Sequence, residues 1–278
     1  MSFNYKIYQA ESIHYGFLVR NQVAIVTGGS SGIGLETVKL FLAQGAKVAW
    51  CGRNQDRLRQ SLEEMKGLYP EGEYFTAVCD VLDNQDVKQF VHQVNERFGQ
   101  IDMLINNAGQ GLVSNFANTV DEQWITEVQL KYFSVLNPIK AALPFLKQSA
   151  SGSITNINSL LALKPEPHMI ATSAARAGLL NLTKSLAKEF AAQGIRVNSV
   201  LLGMVESGQW RRRFEQRSDQ SKTWDQWIQG IANERGIPLG RLGLPQEAAR
   251  ALVFLASPLA SYTTGSVLDV SGGFSQEI

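Results

Sequence analysis

Immediately after a short β-branched run, the chain reads Thr27-Gly-Gly-Ser-Ser-Gly-Ile-Gly34, and a helix-forming segment, Leu35–Ala43, follows. Glycines here permit positive φ and close backbone approach, while the unpaired N–H groups and positive dipole end of the next helix attract a diphosphate. Strand, glycine turn and helix come in the order a phosphate cradle requires. Gly28, Ser30, Ser31, Gly32, Ile33 and Gly34 are therefore candidate dinucleotide contacts. The next apolar run ends Cys51-Gly-Arg-Asn54, with no carboxylate to bind ribose hydroxyls. Arg53 suits a 2′-phosphate, which favours NADP(H) and leaves NAD(H) open; the alternative is a solvated arginine at a helix start.

Such a loop needs a sheet to hold it. From Val23 onward, apolar runs at Val23–Thr27, Lys47–Cys51, Tyr74–Val78 and Ile101–Ile105, with further strands at Ser153–Asn158, Arg196–Leu202 and Ser266–Val270, alternate with segments of helical spacing. Among the latter are Asp86–Phe98, Asp121–Leu146 and Ala171–Ala192. Repeated βαβ units with right-handed crossovers make an α/β fold, a doubly wound parallel sheet of Rossmann type in one domain, 23–278. Residues 1–22 read as an N-terminal extension. Residues 206–236, with Trp210, Trp224 and Trp227, read as an insertion before the last helical unit.

The 278 residues are 44% hydrophobic, enough for a substantial core, and 26 basic against 25 acidic side chains leave a charge of only +1. That balance offers no footprint for nucleic acid or an anionic membrane, and no apolar stretch approaches the length of a spanning helix. Cys51 and Cys79 are too few for a disulfide framework and lack zinc-site spacing, so no metal is expected and a reducing cytoplasm is the expected compartment.

With the glycine loop placed, Cys79-Asp-Val81, Asn106-Asn-Ala-Gly109, Ile195-Arg-Val-Asn-Ser199 and Gly265-Ser-Val-Leu-Asp-Val-Ser-Gly-Gly273 make the chain from Val23 onward resemble the short-chain dehydrogenase/reductase family. The resemblance implies that Asp80 and Val81 sit by the adenine, that Asn106, Ala108 and Gly109 pass beneath the cofactor ribose, and that Gly203 and Val205 approach the carboxamide. It gives Asn107 a structural part, linking neighbouring strands. It also implies a homotetramer paired through the helices 121–146 and 171–192.

The same resemblance implies a four-residue catalytic set, and the chain departs from it. Ser159 matches the family serine, but the Tyr-x-x-x-Lys register reads Thr172-Ser-Ala-Ala-Arg176, and the family asparagine aligns with Lys131. No tyrosine lies between Tyr132 and Tyr262, so a shift of register does not restore one. A threonine hydroxyl is far less acidic than a phenol, and an arginine is effectively never deprotonated. Thr172 can donate or pass a hydrogen bond, and Arg176 can position the cofactor ribose. Lys131, whose ammonium resembles phenol in acidity, is the candidate relocated acid, against alternatives of holding a substrate carboxylate or facing solvent. His168, in a loop with two prolines, is a second proton-capable candidate or a plain surface histidine. Tyr132 is expected to pack.

In the insertion, Trp210, Phe214, Trp224 and Trp227 can form an apolar lid. Arg211, Arg212, Arg213 and Arg217 can bind an anionic or carrier-bound small-molecule substrate, or else form a solvated face. Two functions fit: an NADP(H)-dependent oxidoreductase acting on a carbonyl or secondary alcohol through a rebuilt proton-transfer site, or a dinucleotide-binding subunit without redox turnover.

Overall fold

The structure, a computed structural model, describes residues 19–275. Strands β1 (Val23–Thr27), β2 (Lys47–Gly52), β3 (Tyr74–Val78), β4 (Met103–Asn106), β5 (Ser153–Ser159), β6 (Arg196–Leu202) and β7 (Val267–Val270) pair in parallel in the order β3-β2-β1-β4-β5-β6-β7. Helices α1 (Gly32–Ala43), α2 (Gln55–Leu68), α3 (Asn84–Phe98), α4 (Asp121–Leu146), α5 (Ile170–Ala191), α6 (Gly208–Glu215), α7 (Trp224–Glu234) and α8 (Pro245–Ala256) complete the α/β domain.

The period of two along β1 assigns the layers. Val23 and Ile25 enter the core shared with Val87 and Phe90 of α3, Ile139 of α4 and Leu179 of α5. Ala24 and Val26 point the other way, toward Phe41 of α1, Leu58 of α2 and Leu252 of α8. A sheet covered on both faces explains why its strands read as apolar runs and not as alternations.

The expected elements form, with shifted ends. Ile101 and Asp102 precede β4 because Asp102 serves as a link: its Oδ2 accepts from Val23 N at 2.7 Å and its Oδ1 from Ser149 Oγ at 2.6 Å. Ser266 stands outside β7, its N–H donating to Asn198 Oδ1 at 3.0 Å. Residues 1–18 of the expected N-terminal extension lie outside the described residues, and the described part ends in a turn with Val19 buried. The insertion folds as α6 and α7. Trp210 and Trp227 from these helices pack around Ile228, Ala232, Ile237 and Leu242 in a small core of their own.

Tyr132 packs as its position on α4 predicts. Its hydroxyl fills the space over Gly178 of α5, where an added Cβ would stand 1.8 Å from it. The order of the sheet reverses between β1 and β4, so a crevice opens at their carboxyl ends, where the glycine loop begins.

Candidate active site

That crevice is a cavity of about 510 Å³. Gly28 holds φ +67, and a Cβ on Gly34 would lie 2.3 Å from the Gly28 carbonyl oxygen and 2.5 Å from Asn107 Nδ2. The loop therefore needs hydrogen at both positions. Ser31 caps α1 without a side-chain hydrogen bond, so the first-turn N–H groups remain available to an anion. Asn107 Nδ2 donates to the Thr27 and Gly28 carbonyl oxygens at 2.9 and 3.0 Å, tying β4 to the loop as its structural reading expects.

Gly28, Ser30, Ser31, Ile33, Arg53, Val81, Asn106, Ala108 and Gly109 line this cavity, together with Lys131 and Arg176. Gly32 and Gly34 shape the turn from behind. Asp80 turns its carboxylate to Leu82 N at 3.0 Å, leaving Cys79 and Val81 on the wall. Arg57, one turn beyond Arg53, also lines this end. Sequence reasoning missed it, although its spacing on the starting helix was visible.

A second cavity of about 310 Å³ adjoins the first through Arg176 and Ile157. Ser159, Thr172, His168, Gly203 and Val205 line it. Gly203 and Val205 thus border the outer space and not the glycine-loop cavity. Ser159, at the end of β5, accepts from Leu161 N through its Oγ at 3.3 Å and keeps its proton for another acceptor. His168 is half exposed at the rim, its Nδ1 3.4 Å from Glu166 Oε2.

Between the cavities lies a buried charged cluster. Lys131, 2% exposed, donates from Nζ to Gln110 O at 2.7 Å and to Glu127 Oε2 at 2.9 Å. The same carboxylate oxygen accepts from Thr172 Oγ1 at 2.5 Å, and Thr172 in turn accepts from Leu112 N at 2.9 Å. The shorter contact draws the Thr172 proton to Glu127, with the Leu112 carbonyl oxygen at 3.2 Å as its other acceptor. An ammonium carries three donors; two are used, and one is left for a ligand in the cavity Lys131 lines. Burial and the nearby Arg176 charge lower the Lys131 pKa, while Glu127 works in the opposite direction. Burial pulls the Arg176 guanidinium down to about 10, which still leaves it charged at neutral pH. Its Nη1 donates to Ile157 O at 3.2 Å, and its enclosed Nε has no protein acceptor.

Glu127 is the member of this cluster that sequence reasoning overlooked. Its signal was a carboxylate four positions before Lys131 on one helix, the spacing at which such side chains meet.

The insertion arginines divide. Arg211 stacks on Trp224 at 3.6 Å and faces Glu206 at 3.9 Å. Arg217 covers Phe214 and donates to the Lys222 carbonyl oxygen at 2.7 Å. Only Arg213 among the four lines the second cavity. Among the described residues no cluster of His, Cys, Asp and Glu could hold a metal ion, and no helix is long and apolar enough to cross a membrane.

Sheet order, glycine cradle and crevice define a dinucleotide-binding α/β domain. The short chain dehydrogenase family model matches residues 22–218, and the chain belongs to that family. A 3alpha-hydroxysteroid dehydrogenase of Mediterraneibacter gnavus is 36% identical over 257 residues, 92% of this chain and 97% of that one. A 3-oxoacyl-acyl-carrier-protein reductase of Thermotoga maritima is 31% identical over 255 residues, 92% and 98% of the two chains. An NADPH-bound short chain oxidoreductase of Pseudomonas aeruginosa PAO1, described as containing an atypical catalytic center, is 54% identical with a TM-score of 0.91, covering 95% of this chain and all (100%) of that one. The L-sorbose reductase of Gluconobacter frateurii, complexed with NADPH and L-sorbose, is 29% identical with a TM-score of 0.88, covering 95% and 99%.

Proposed function

We propose that this chain is an NADP(H)-dependent oxidoreductase that interconverts a carbonyl and a secondary alcohol, with Lys131 transferring the proton that the family's tyrosine otherwise supplies. The observation that carries this reading is the buried Lys131 ammonium with one uncommitted donor on the cavity wall. The cradle fits a dinucleotide, because hydrogen is required at Gly28 and Gly34 and the α1 N–H groups stand free. The loop from Gly28 to Ile33 would hold the diphosphate, Arg53 and Arg57 the 2′-phosphate, and Val81, Asn106, Ala108 and Gly109 the adenosine and ribose side. The NADPH in two of the related structures supports NADP(H) as the cofactor.

When bound, the nicotinamide supplies or accepts a hydride. The chain's own work is proton handling and charge control. Lys131 gives its third proton to the carbonyl oxygen of a substrate that reaches inward past Arg176, where the two cavities meet, and Ser159 Oγ offers a hydrogen bond on the outer side. Arg176 keeps the ammonium acidic by its positive charge, and its side chain on the cavity wall would hold a ribose oxygen. Thr172 releases no proton; it fixes the carboxylate that orients Lys131. The cations kept at these positions favour turnover over a silent binding subunit.

The second cavity suits a small substrate with an anionic end. Its carboxylate, Glu166, is taken by Arg235 at 3.2 Å, leaving Lys164 and Arg213 without an acidic partner on a wall that includes Met204, Trp210 and Phe274. The anion is a free carboxylate or the phosphates of a carrier. Exposed Ile125, Val128 and Phe133 on α4 support assembly through α4 and α5 into a homotetramer, and the two free cysteines suit a cytoplasmic protein. Fluorescence titration tests the reading: NADPH binding tighter than NADH is expected, and no binding of either rejects it.

A further inference from the structure

Glu127 occupies a place that orientation of Lys131 alone does not explain. The carboxylate is 4% exposed, yet it borders a separate cleft of about 210 Å³ lined by Gln110, Gly111, Leu112, Glu122, Gln123, Thr126 and Leu130. Its Oε2 receives both Lys131 and Thr172, while Oε1 takes no protein hydrogen bond. Lys131 faces the dinucleotide cavity and Thr172 the outer one, whereas neither the glycine loop nor Ser159 touches the cleft. One carboxyl group thus joins the buried ammonium to a third opening, divided from the dinucleotide cavity by Gln110 and from the outer cavity by Gly111.

We propose that Glu127 is the relay through which Lys131 exchanges protons with solvent, entering by the cleft between α4 and the 110–112 loop. The inference rests on the reading of Lys131 as proton donor. In reduction, Lys131 Nζ loses a proton to the substrate oxygen and becomes an amine. Glu127 accepts a proton from cleft water on Oε1, a small carboxyl rotation brings it to Nζ, and the amine takes it, restoring ammonium and carboxylate. One solvent proton is consumed per carbonyl reduced, and oxidation runs the path backward. The charges facing this pair are those of Arg176 on α5 and Glu122 at the cleft; Thr172 and Gln110 O contribute only hydrogen bonds. A bound ligand closes the inner cavities to water, so a separate path lets the acid reload while a ligand is present.

The test compares Glu127→Gln and Glu127→Asp with the unmodified protein, using NADPH and the probe 5-oxohexanoate. Glu127→Gln, which leaves the buried Lys131 ammonium without its carboxylate, is expected to melt at a lower temperature and still bind NADPH within a few-fold of the parent Kd, while kcat falls about tenfold or more and its alkaline limb moves to lower pH. Glu127→Asp, which keeps a proton carrier on a shorter arm, is expected to recover part of that rate. Parental kcat and pH profile in Glu127→Gln, or equal loss in both variants, overturns the relay. A second measurement needs no turnover. In cofactor-free Lys131→Met at acid pH, infrared difference spectroscopy should show a protonated carboxyl band that shifts on exchange into D2O and is absent from Lys131→Met/Glu127→Gln; no such band overturns solvent access to Glu127. If the parent protein oxidises no NADPH with the probe, the proposed redox function fails, and the infrared result alone decides the role of Glu127.

Discussion

At the scale of single residues, the decisive fact is that Lys131 is both buried and incompletely bonded. Taking an ammonium from water is unfavourable, and Glu127, Gln110 O and the remaining donor together determine what it can do. Lys131→Met should lower turnover by about 100-fold or more while leaving the Kd for NADPH within a few-fold, as read by stopped-flow and fluorescence titration. The acid must be protonated for reduction. Because its pKa lies below the 10.5 of a solvated lysine, reduction should fall on the alkaline side through a pKa under that value, and oxidation should rise there. Removing a positive neighbour raises the pKa of an ammonium, so Arg176→Met should move that limb to higher pH at saturating NADPH. A limb unmoved by this change would contradict the coupling.

This cluster was half legible in the sequence. Lys131, Thr172, Arg176 and Ser159 are found by register against the family motif, but the hydrogen bond from Thr172 to a carboxylate depends on α4 and α5 meeting, which no local pattern states. Glu127 stands one helical turn before Lys131 on α4, and only burial separates it from an ordinary surface glutamate.

At the scale of elements, close approach and capping decide placement. The α4–α5 contact requires hydrogen at Gly178, because any Cβ there would collide with the Tyr132 hydroxyl. Since both helices carry the Lys131 cluster, Gly178→Ala should destabilise the fold by about 1–3 kcal/mol in urea unfolding and reduce turnover with it. Unchanged stability would mean that Tyr132 moves freely. Helix α8 is started by Glu247, whose Oε2 accepts from Leu244 N at 2.7 Å while Arg241 donates to both oxygens at 2.8 and 2.6 Å. That pairing holds the Glu247 carboxyl at about 2. A carboxyl depressed in the folded state stabilises above its unfolded pKa, and the contribution is lost as pH falls toward 2. Glu247→Gln should therefore cost about 1 kcal/mol at pH 7, with the difference from the parent shrinking in acid. Strand and helix identities were readable because β1, β2 and β4 are buried apolar runs set between segments of helical spacing, although β5 and β6 bury Thr155, Asn156 and Asn198 among their apolar residues. Their ends were not, because Asp102 and Ser266 add bonds to partners far away in sequence, Val23 N and Asn198 Oδ1, that no local pattern states.

At the scale of the whole molecule, a net charge of +1 conceals segregation. Arg53, Arg57, Lys131 and Arg176 line the first cavity with Glu206 as the carboxylate beside them, and Lys164, Arg213 and Arg235 line the second with Glu166. Composition alone excludes a polyanion-binding surface, yet it says nothing of a cationic crevice balanced elsewhere by exposed acids. A concave field of one sign raises the local concentration of a small anion, and salt weakens it over a screening length of about 8 Å at physiological ionic strength. The 2′-phosphate brings additional negative charge to the end where Arg53 and Arg57 stand. Raising salt should therefore weaken NADPH binding more steeply than NADH binding in fluorescence titrations. In Arg53→Met/Arg57→Met the two salt slopes should converge and the preference for NADPH should fall by about tenfold or more, since charge-assisted hydrogen bonds contribute about 1.5–3 kcal/mol each. If the double variant kept its preference, the 2′-phosphate would be recognised elsewhere, and the cationic wall would act on the substrate alone.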